Sequence, residues 1–204
     1  MSIPKVSNIF SQSELDFFTQ KINGLVTPLH KDGSYVYDES SDVSVSRYLG
    51  RIQTGTLFIE IPTSIREKLT KIANDNLDFK NDLSQITYVE YNSIYGIPDL
   101  PPHFDGDSND LIINCQLFSN TSWPIGIGTK TYDLEDNSAL IFNGNTNIHW
   151  RPHKNFKAGE YVKMLFVRFC NSKILSDYSD KIYSQDHDIF KEVRSIRDGS
   201  PTGT

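Results

Sequence analysis

The sequence predicts a mainly β fold, a sandwich or jelly roll with helices on its N-terminal side. Between residues 86 and 169, short apolar segments alternate with turn residues, which is typical of sandwiches and jelly rolls. The chain has 204 residues, among them twelve Phe and ten Tyr, and aromatic residues favour strands. Two segments with apolar residues at helical spacing precede this β-rich stretch.

The N-terminal helices are predicted from their first turns. Ser11 and Glu14 have the spacing of a capping box, in which each side chain binds the backbone amide of the other residue. Ser64 and Glu67 repeat this spacing just after Pro62, where a second helix is predicted to begin. Apolar residues follow both boxes at helical spacing, so we expect each helix to pack one face on the sheet.

The β-rich stretch begins with an alternating strand at residues 86–91. A loop that contains Pro98, Pro101 and Pro102 follows, and these prolines stiffen the approach to residue 103. The remaining strands are predicted at residues 111–118, 123–127, 130–132, 138–144 and 161–169.

The end of the chain is polar. A short helix is predicted at residues 188–196, and residues 199–204 are expected to be disordered. No linker divides the sequence, so we expect one domain at residues 1–198 with its core at residues 86–169.

Charge and composition argue against several classes of protein. The formal net charge is −6 and the pI is near 5.3, which disfavours a dedicated nucleic-acid binder. No apolar run approaches the roughly 18 residues of a membrane span, and no signal peptide is recognisable at the N-terminus. We therefore expect a cytoplasmic protein in which Cys115 and Cys170 are reduced thiols.

Three side chains have the types and spacing of a metal site. His103 and Asp105 are two residues apart, so on an extended segment both project from the same face. His149 follows near the end of another apolar run, and a folded sheet can bring it beside them. Two imidazoles and one carboxylate leave the opposite side of a metal open, which is the facial triad of non-haem Fe(II) sites.

The order of these motifs resembles the Fe(II)/2-oxoglutarate-dependent dioxygenases, and more closely their prolyl-hydroxylase-like branch. The matching segments cover residues 86–169 and are Tyr88-Val89-Glu90-Tyr91, His103-Phe104-Asp105, residues 138–144, His149-Trp150-Arg151-Pro152 and the last strand. The resemblance implies a double-stranded β-helix, or jelly roll, with Fe(II) held by His103, Asp105 and His149. It also implies 2-oxoglutarate as co-substrate, ascorbate as a candidate reductant, and hydroxylation with release of succinate and CO2.

The far carboxylate of 2-oxoglutarate needs a cation, and here the sequence departs from the family pattern. Such enzymes usually place Arg or Lys about ten residues after the second His, but position 159 is Gly. We rank Arg151 first, because it shares the face of His149, then Lys163, then Arg168. For Arg168 we expect a solvated strand position.

Two further residues are assigned to the co-substrate site, and the primary substrate stays open. Tyr91 matches the strand tyrosine of the family, and Asn114 lies in the strand after the His-x-Asp motif. The substrate class is a peptide side chain or a small metabolite. The alternatives are a cupin-like binding module without turnover and a metal-dependent isomerase or hydrolase, while the acidic charge disfavours nucleic-acid demethylation.

Overall fold

The computed structural model describes residues 3–23, 35–38, 43–46, 49–54, 60–76, 82–105, 111–170 and 188–199. The helices of this part of the chain are α1 (Gln12–Asn23), α2 (Thr63–Asp75) and α3 (Asp188–Asp198). Its strands are β1 (Lys5–Ser7), β2 (Tyr35–Asp38), β3 (Val43–Ser46), β4 (Arg51–Thr54), β5 (Asp82–Asn92), β6 (Leu111–Ser119), β7 (Ile125–Ile127), β8 (Lys130–Tyr132), β9 (Ser138–Phe142), β10 (His149–Trp150) and β11 (Tyr161–Cys170).

The strands form two antiparallel sheets that face each other. The large sheet has the order β1-β9-β6-β11-β5-β4-β3-β2, and the small sheet has the order β10-β7-β8. Side chains from both sheets meet in one apolar layer, in which Ile112 and Phe142 of the large sheet pack with Ile125 and Ile127 of the small sheet. Two packed antiparallel sheets with non-sequential strand order make a jelly roll, so the predicted fold class is confirmed.

The helices α1 and α2 cover the outer face of the large sheet. The α1 capping box is confirmed, because the Ser11 amide donates to Glu14 Oε2 at 2.7 Å. The second predicted box is wrong: α2 begins directly after Pro62, and no side chain caps its first amides. Pro62 has a φ of −54°, so its ring already sets the chain direction and Ser64 lies inside the first turn.

The central strand β11 is buried on both faces. Leu165, Val167 and Phe169 pack with the helices, whereas Met164 and Phe166 face the small sheet. A bulge interrupts the pairing of β11 with β5 next to Arg168, since Arg168 pairs with Gln85 and Phe169 pairs with Leu83. The unpaired residue is Ser84, whose hydroxyl donates to the Arg168 carbonyl at 2.9 Å. Bulges of this kind change the direction of neighbouring side chains.

The helix α3 packs against the segments that hold the candidate metal ligands. It extends two residues beyond the predicted end at residue 196. The Phe190 ring contacts the Phe104 ring edge-on, with centroids 5.4 Å apart. The Arg197 side chain contacts Asp99 and donates from Nε to the Arg151 carbonyl at 3.0 Å. Residues 200–204 lie outside the described residues, so their disorder stays a prediction.

Two smaller predictions concern thiols and membranes. Cys115 and Cys170 do not form a disulfide with each other, as expected. Cys115 is fully buried, and this burial raises the pKa of its thiol. In the part of the chain that the structure describes, no helix is both long enough and apolar enough to cross a membrane.

Candidate metal centre

The backbone brings His103, Asp105 and His149 together at the edge of the small sheet. His103 and His149 form an isolated antiparallel bridge, in which each backbone amide donates to the other's carbonyl at 3.1 and 2.9 Å. The Asp105 amide donates to the Gly144 carbonyl at 3.0 Å. These backbone bonds join the loop after Pro102 to the segment around β10, so the three side chains share one region.

The ligand atoms of the three side chains lie within 4.8 Å of one another. His149 Nε2 is 3.5 Å from Asp105 Oδ2, and His103 Nε2 is 3.8 Å from Asp105 Oδ1. The two imidazole rings have centroids 4.1 Å apart. Ligands that each lie about 2.1 Å from one ion are separated by at most about 4.2 Å. Both His–Asp distances are below this limit, so a single metal ion can lie between Asp105 and the two imidazoles.

Hydrogen bonds fix the tautomers of both imidazoles. His103 Nδ1 lies 2.7 Å from the Pro101 carbonyl oxygen, and His149 Nδ1 lies 3.1 Å from the Asn147 carbonyl oxygen. A carbonyl oxygen only accepts hydrogen bonds, so each Nδ1 carries the proton and donates. The lone pair of each ring is then on Nε2, the atom that faces Asp105. A histidine that binds a metal through one ring nitrogen usually donates from the other nitrogen to such an oxygen, which holds the ring in place.

Burial keeps both imidazoles neutral. Desolvation, together with a smaller effect of the neighbouring His103, lowers the pKa of His149 to about 4. Desolvation is also the main cause that lowers the pKa of His103, against a smaller opposing effect of Asp105. A metal binds the neutral imidazole, so the pair is ready for a metal ion at neutral pH.

The three ligands lie in the wall of a cavity of about 230 Å³. The described residues of its wall include two guanidinium groups, from Arg51 and Arg168, and one carboxylate, from Asp105. Among the described residues, neither guanidinium has a carboxylate within 4.0 Å. The described residues that line the cavity are Arg51, Gln53, Leu100, His103, Asp105, Ile112, Asn114, His149, Phe166 and Arg168. The described part of the cavity wall therefore combines a metal ligand set with an excess of positive charge.

Arg168 is half-buried and lies in the cavity, not at a solvated strand position as expected. Its Nη1 donates to Thr87 Oγ1 at 3.0 Å and to Gln85 Oε1 at 3.2 Å. Its Nε is buried and has no hydrogen-bond partner among the described residues. Desolvation lowers its pKa, yet the neighbouring charge of Asp105 favours the cation. Arg168 is thus a fixed cation with one buried donor still to be satisfied.

Arg151 is placed elsewhere. Only 1% of its surface is exposed, and it is not among the described residues that line the cavity. Its Nη1 donates to the Trp123 carbonyl, its Nη2 lies 3.5 Å from Met164 Sδ, and its guanidinium carbon lies 4.7 Å from the centre of the Trp123 ring. Burial lowers its pKa to about 10, which still leaves it charged at neutral pH.

Lys163 lies on the outer face of β11, away from the metal ligands. Its Nζ is 4.0 Å from Glu90 Oε2 and 4.9 Å from the centre of the Tyr161 ring. It lines a separate small cavity beside Ile22 of α1. The alternation of β11 therefore puts Arg168, and not Lys163, on the side of the metal ligands.

The two other residues predicted for the co-substrate site differ in their positions. Asn114 lines the cavity, and its Oδ1 is buried without a hydrogen-bond partner among the described residues. Tyr91 is fully buried and contacts the cavity residue Arg51: its hydroxyl accepts a hydrogen bond from Arg51 Nη1 at 3.3 Å. Of these two side chains, only Asn114 can therefore contact a ligand in the cavity.

Two residues of the cavity wall, Arg51 and Gln53, were not predicted from the sequence. Both lie on β4 with the two-residue spacing of one strand face, and this spacing is the signal that was available. Their position near His103 depends on the pairing of β4 with β5, in which Arg51 is opposite Tyr91. That pairing joins residues 40 positions apart, which no local pattern indicates.

No protein-family model and no curated protein matches this sequence. Solved structures do match it. The non-haem alpha-ketoglutarate-dependent epimerase SnoN from nogalamycin biosynthesis is similar with a TM-score of 0.59 at 10% identity, over 82% of this chain and 78% of that protein. A prolyl hydroxylase from Trichoplax adhaerens, in complex with a hypoxia inducible factor peptide fragment, is similar with a TM-score of 0.55 at 16% identity, over 81% and 83%.

A third similar structure is AviO1 from Streptomyces viridochromogenes, with a TM-score of 0.58 at 9% identity over 83% of this chain and 90% of that one. At such identities the similarity concerns the fold. The chain therefore shares its jelly-roll fold with the epimerase and the prolyl hydroxylase, as the sequence motifs predicted.

Proposed function

We propose that this protein is a non-haem Fe(II)- and 2-oxoglutarate-dependent oxygenase that hydroxylates its substrate. The observation that carries the proposal is the convergence of two neutral Nε2 atoms and one carboxylate in a cavity that also contains guanidinium groups. A metal site alone would not need the cations, and an anion site alone would not need the paired imidazoles.

His103, Asp105 and His149 would hold Fe(II) by three ligands, which leaves the rest of its coordination sphere for 2-oxoglutarate and dioxygen. When bound, the iron supplies the oxidising power that removes a hydrogen atom from the substrate. The protein supplies position: the Pro101 and Asn147 carbonyls hold both rings in the tautomer that presents Nε2. The apolar side chains of Leu100, Ile112 and Phe166 exclude water from the cavity wall.

For the far carboxylate of 2-oxoglutarate we propose Arg168 in place of Arg151 and Lys163. Arg168 lies in the cavity with the metal ligands, and its buried Nε still lacks an acceptor among the described residues. Thr87 and Gln85 fix its Nη1, so little side-chain freedom is lost when an anion binds. A guanidinium also matches a carboxylate through two parallel hydrogen bonds.

We propose a direct role at the co-substrate site for Asn114 and an indirect role for Tyr91. Asn114 is proposed to contact the co-substrate directly, because its amide lines the cavity. Tyr91 is proposed to act through Arg51, whose guanidinium it holds through a hydrogen bond at 3.3 Å.

The reaction is proposed as hydroxylation of a small metabolite or a peptide side chain, with release of succinate and CO2. The similar structures include an epimerase as well as a prolyl hydroxylase, so epimerisation at a C–H centre is a second candidate outcome on this fold. We further propose that residues 1–198 act as one oxygenase domain in the cytoplasm, with ascorbate as reductant and without nucleic acid as a partner.

Succinate release tests the proposal. The full chain is incubated with Fe(II), ascorbate and 2-oxoglutarate in air, and succinate is measured by mass spectrometry. We expect succinate formation that requires both Fe(II) and dioxygen and that is lost in His149→Ala. Metal binding without any succinate would favour the cupin-like binding module. Turnover of a substrate with Zn(II) or Mn(II) under nitrogen would favour the isomerase or hydrolase.

A further inference from the structure

A second guanidinium group, that of Arg51, lies in the cavity, and the proposed function assigns no ligand to it. Arg51 extends from β4, and its Nη1 donates to Tyr91 Oη at 3.3 Å. Its guanidinium carbon lies 6.0 Å from the centre of the Tyr91 ring. Arg51 is half-buried, and it lines the same cavity as Arg168 and the three candidate metal ligands. Its contact with a neutral phenol leaves the positive charge of Arg51 without a balancing anion among the described residues.

A charge count separates the roles of the two arginines. The two positive charges of Fe(II) and the one of Arg168 balance the single charge of Asp105 and the two of 2-oxoglutarate. Among the charges on the described residues of the cavity, the positive charge of Arg51 is then left over. A guanidinium in a partly buried cavity is costly unless an anion compensates it. The molecule that enters after 2-oxoglutarate is therefore expected to bring one negative charge.

The hydrogen bonds of Arg168 and Arg51 support separate ligands for the two side chains. Arg168 is held by two acceptors on β5 and lies beside the β11 bulge, so its position is fixed. With the described residues Arg51 makes one long hydrogen bond, and its remaining N–H groups can adjust to an acceptor of variable position. A fixed cation suits the invariant co-substrate, while an adjustable cation suits a group on a second molecule.

We propose that Arg51 binds the carboxylate of the primary substrate and that this substrate is a small monocarboxylate. This inference rests on the proposed function, because the count assumes Fe(II) and 2-oxoglutarate in the cavity. The volume of about 230 Å³ is below the roughly 300 Å³ of the smallest typical ligand sites and is shared with the co-substrate. A carboxylate fits better than a phosphate, because the described cavity wall has no further cation to balance a second negative charge.

The test uses butyrate as probe and butyramide as its neutral analogue. The full chain is loaded with Mn(II), which binds the same oxygen and nitrogen ligands as Fe(II), and with saturating 2-oxoglutarate. Paramagnetic relaxation of the probe protons is then measured by NMR over a titration of the probe. The variants are Arg51→Gln, Arg51→Lys and Lys130→Gln, the last as a control that removes one exposed positive charge from β8. Circular dichroism verifies that each variant is folded.

We expect butyrate to bind the wild-type protein at least tenfold more tightly than butyramide. Arg51→Gln should weaken butyrate by about tenfold or more while leaving the affinity for 2-oxoglutarate within twofold. Arg51→Lys should retain part of the affinity, and Lys130→Gln should retain all of it.

Three results would overturn the inference. The first is equal binding of butyrate and butyramide, or none of either. The second is an Arg51→Gln variant that loses 2-oxoglutarate and not butyrate, which would assign Arg51 to the co-substrate. The third is failure of Mn(II) or 2-oxoglutarate to bind at all. That result appears before any probe is added, and it would remove the proposed function together with the charge count.

Discussion

His103 and His149 exchange a pair of backbone hydrogen bonds, at 3.1 and 2.9 Å, although 46 residues separate them in the sequence. The main chain therefore sets the distance between their imidazole rings. Each ring is then turned by its own Nδ1 bond to a carbonyl two residues earlier, Pro101 or Asn147. The ligand geometry is thus built before any metal arrives, which is the preorganisation that a functional metal site requires.

The first prediction concerns metal affinity. His149→Ala removes one of three ligands, so we expect Mn(II) binding to fall at least 100-fold in isothermal titration calorimetry. The matched control is His153→Ala, because His153 is exposed and its Nε2 pairs with Asp198 at 3.1 Å. If both variants bind Mn(II) like the wild type, the three side chains do not form a metal site.

The second prediction concerns the co-substrate. Arg168→Gln should raise the KM for 2-oxoglutarate about 10- to 100-fold, because a charged hydrogen-bond pair with a carboxylate is lost. Mn(II) affinity should stay within twofold, since Arg168 is not a ligand. Arg168→Lys should recover part of the loss, though without the paired geometry of a guanidinium. An unchanged KM in Arg168→Gln would contradict the assignment.

The third prediction concerns Arg151, which the structure places in the interior against Trp123 and Met164. Arg151→Ala leaves a void and an unsatisfied Trp123 carbonyl, so we expect a loss of about 2–4 kcal/mol in the free energy of unfolding. The KM for 2-oxoglutarate of the folded variant should change less than twofold. A steep rise in this KM at unchanged stability would instead make Arg151 the cation for 2-oxoglutarate.

The fourth prediction concerns the pH dependence of the metal-free protein. Burial lowers the pKa of His149 to about 4, whereas an unfolded histidine titrates near 6.5. Between these values the unfolded chain binds more protons, so stability is complete above pH 6.5 and falls as the pH drops toward 4. The contribution of His149 is at most about 3 kcal/mol.

Urea denaturation at pH 7.5 and pH 4.5, with a chelator present, measures this loss. His149→Gln has no titrating ring at this position, so its stability should decline less over the same range. A wild-type protein whose stability is equal at both values would show that His149 is not buried as a neutral ring.

The fifth prediction concerns the packing behind the ligand His149. A Cβ added at Gly126 would fall on the indole ring of Trp150, which is held by a hydrogen bond from Nε1 to the Gly128 carbonyl at 3.0 Å. Gly126→Ala must therefore shift β7 or β10, and we expect it to cost about 1–3 kcal/mol of stability. Because His149 precedes Trp150, Mn(II) affinity should also fall. A variant with wild-type melting temperature and affinity would contradict this packing.

The parts of the fold that sequence reasoning predicted are those with a local signal. The alternation of apolar and polar residues predicted the strands, and the capping box of Ser11 and Glu14 predicted the start of α1. The two-residue spacing of His103 and Asp105 predicted that both side chains lie on one face. The second box failed because Pro62 occupies the start of α2, and its fixed φ replaces a side-chain cap. The domain limits and the disordered tail stay predictions.

The cations could not be ranked from sequence for a physical reason. The strand β11 is covered by helices on one face and by the small sheet on the other, so both faces are apolar. Periodicity then shows that Lys163 and Arg168 are on opposite faces, but not which face is internal. Arg51 was missed for a related reason, because its place beside Tyr91 depends on pairing between distant strands.

The two guanidinium groups that line the cavity, those of Arg51 and Arg168, have a practical consequence at the bench. Sulfate, phosphate and citrate are common buffer ions that would bind these groups in competition with natural ligands. Assays are best run in HEPES with chloride at low ionic strength, and crystals grown from ammonium sulfate are expected to show the anion beside Arg168. Such an anion would mark the co-substrate position, and it would also explain a falsely inactive preparation.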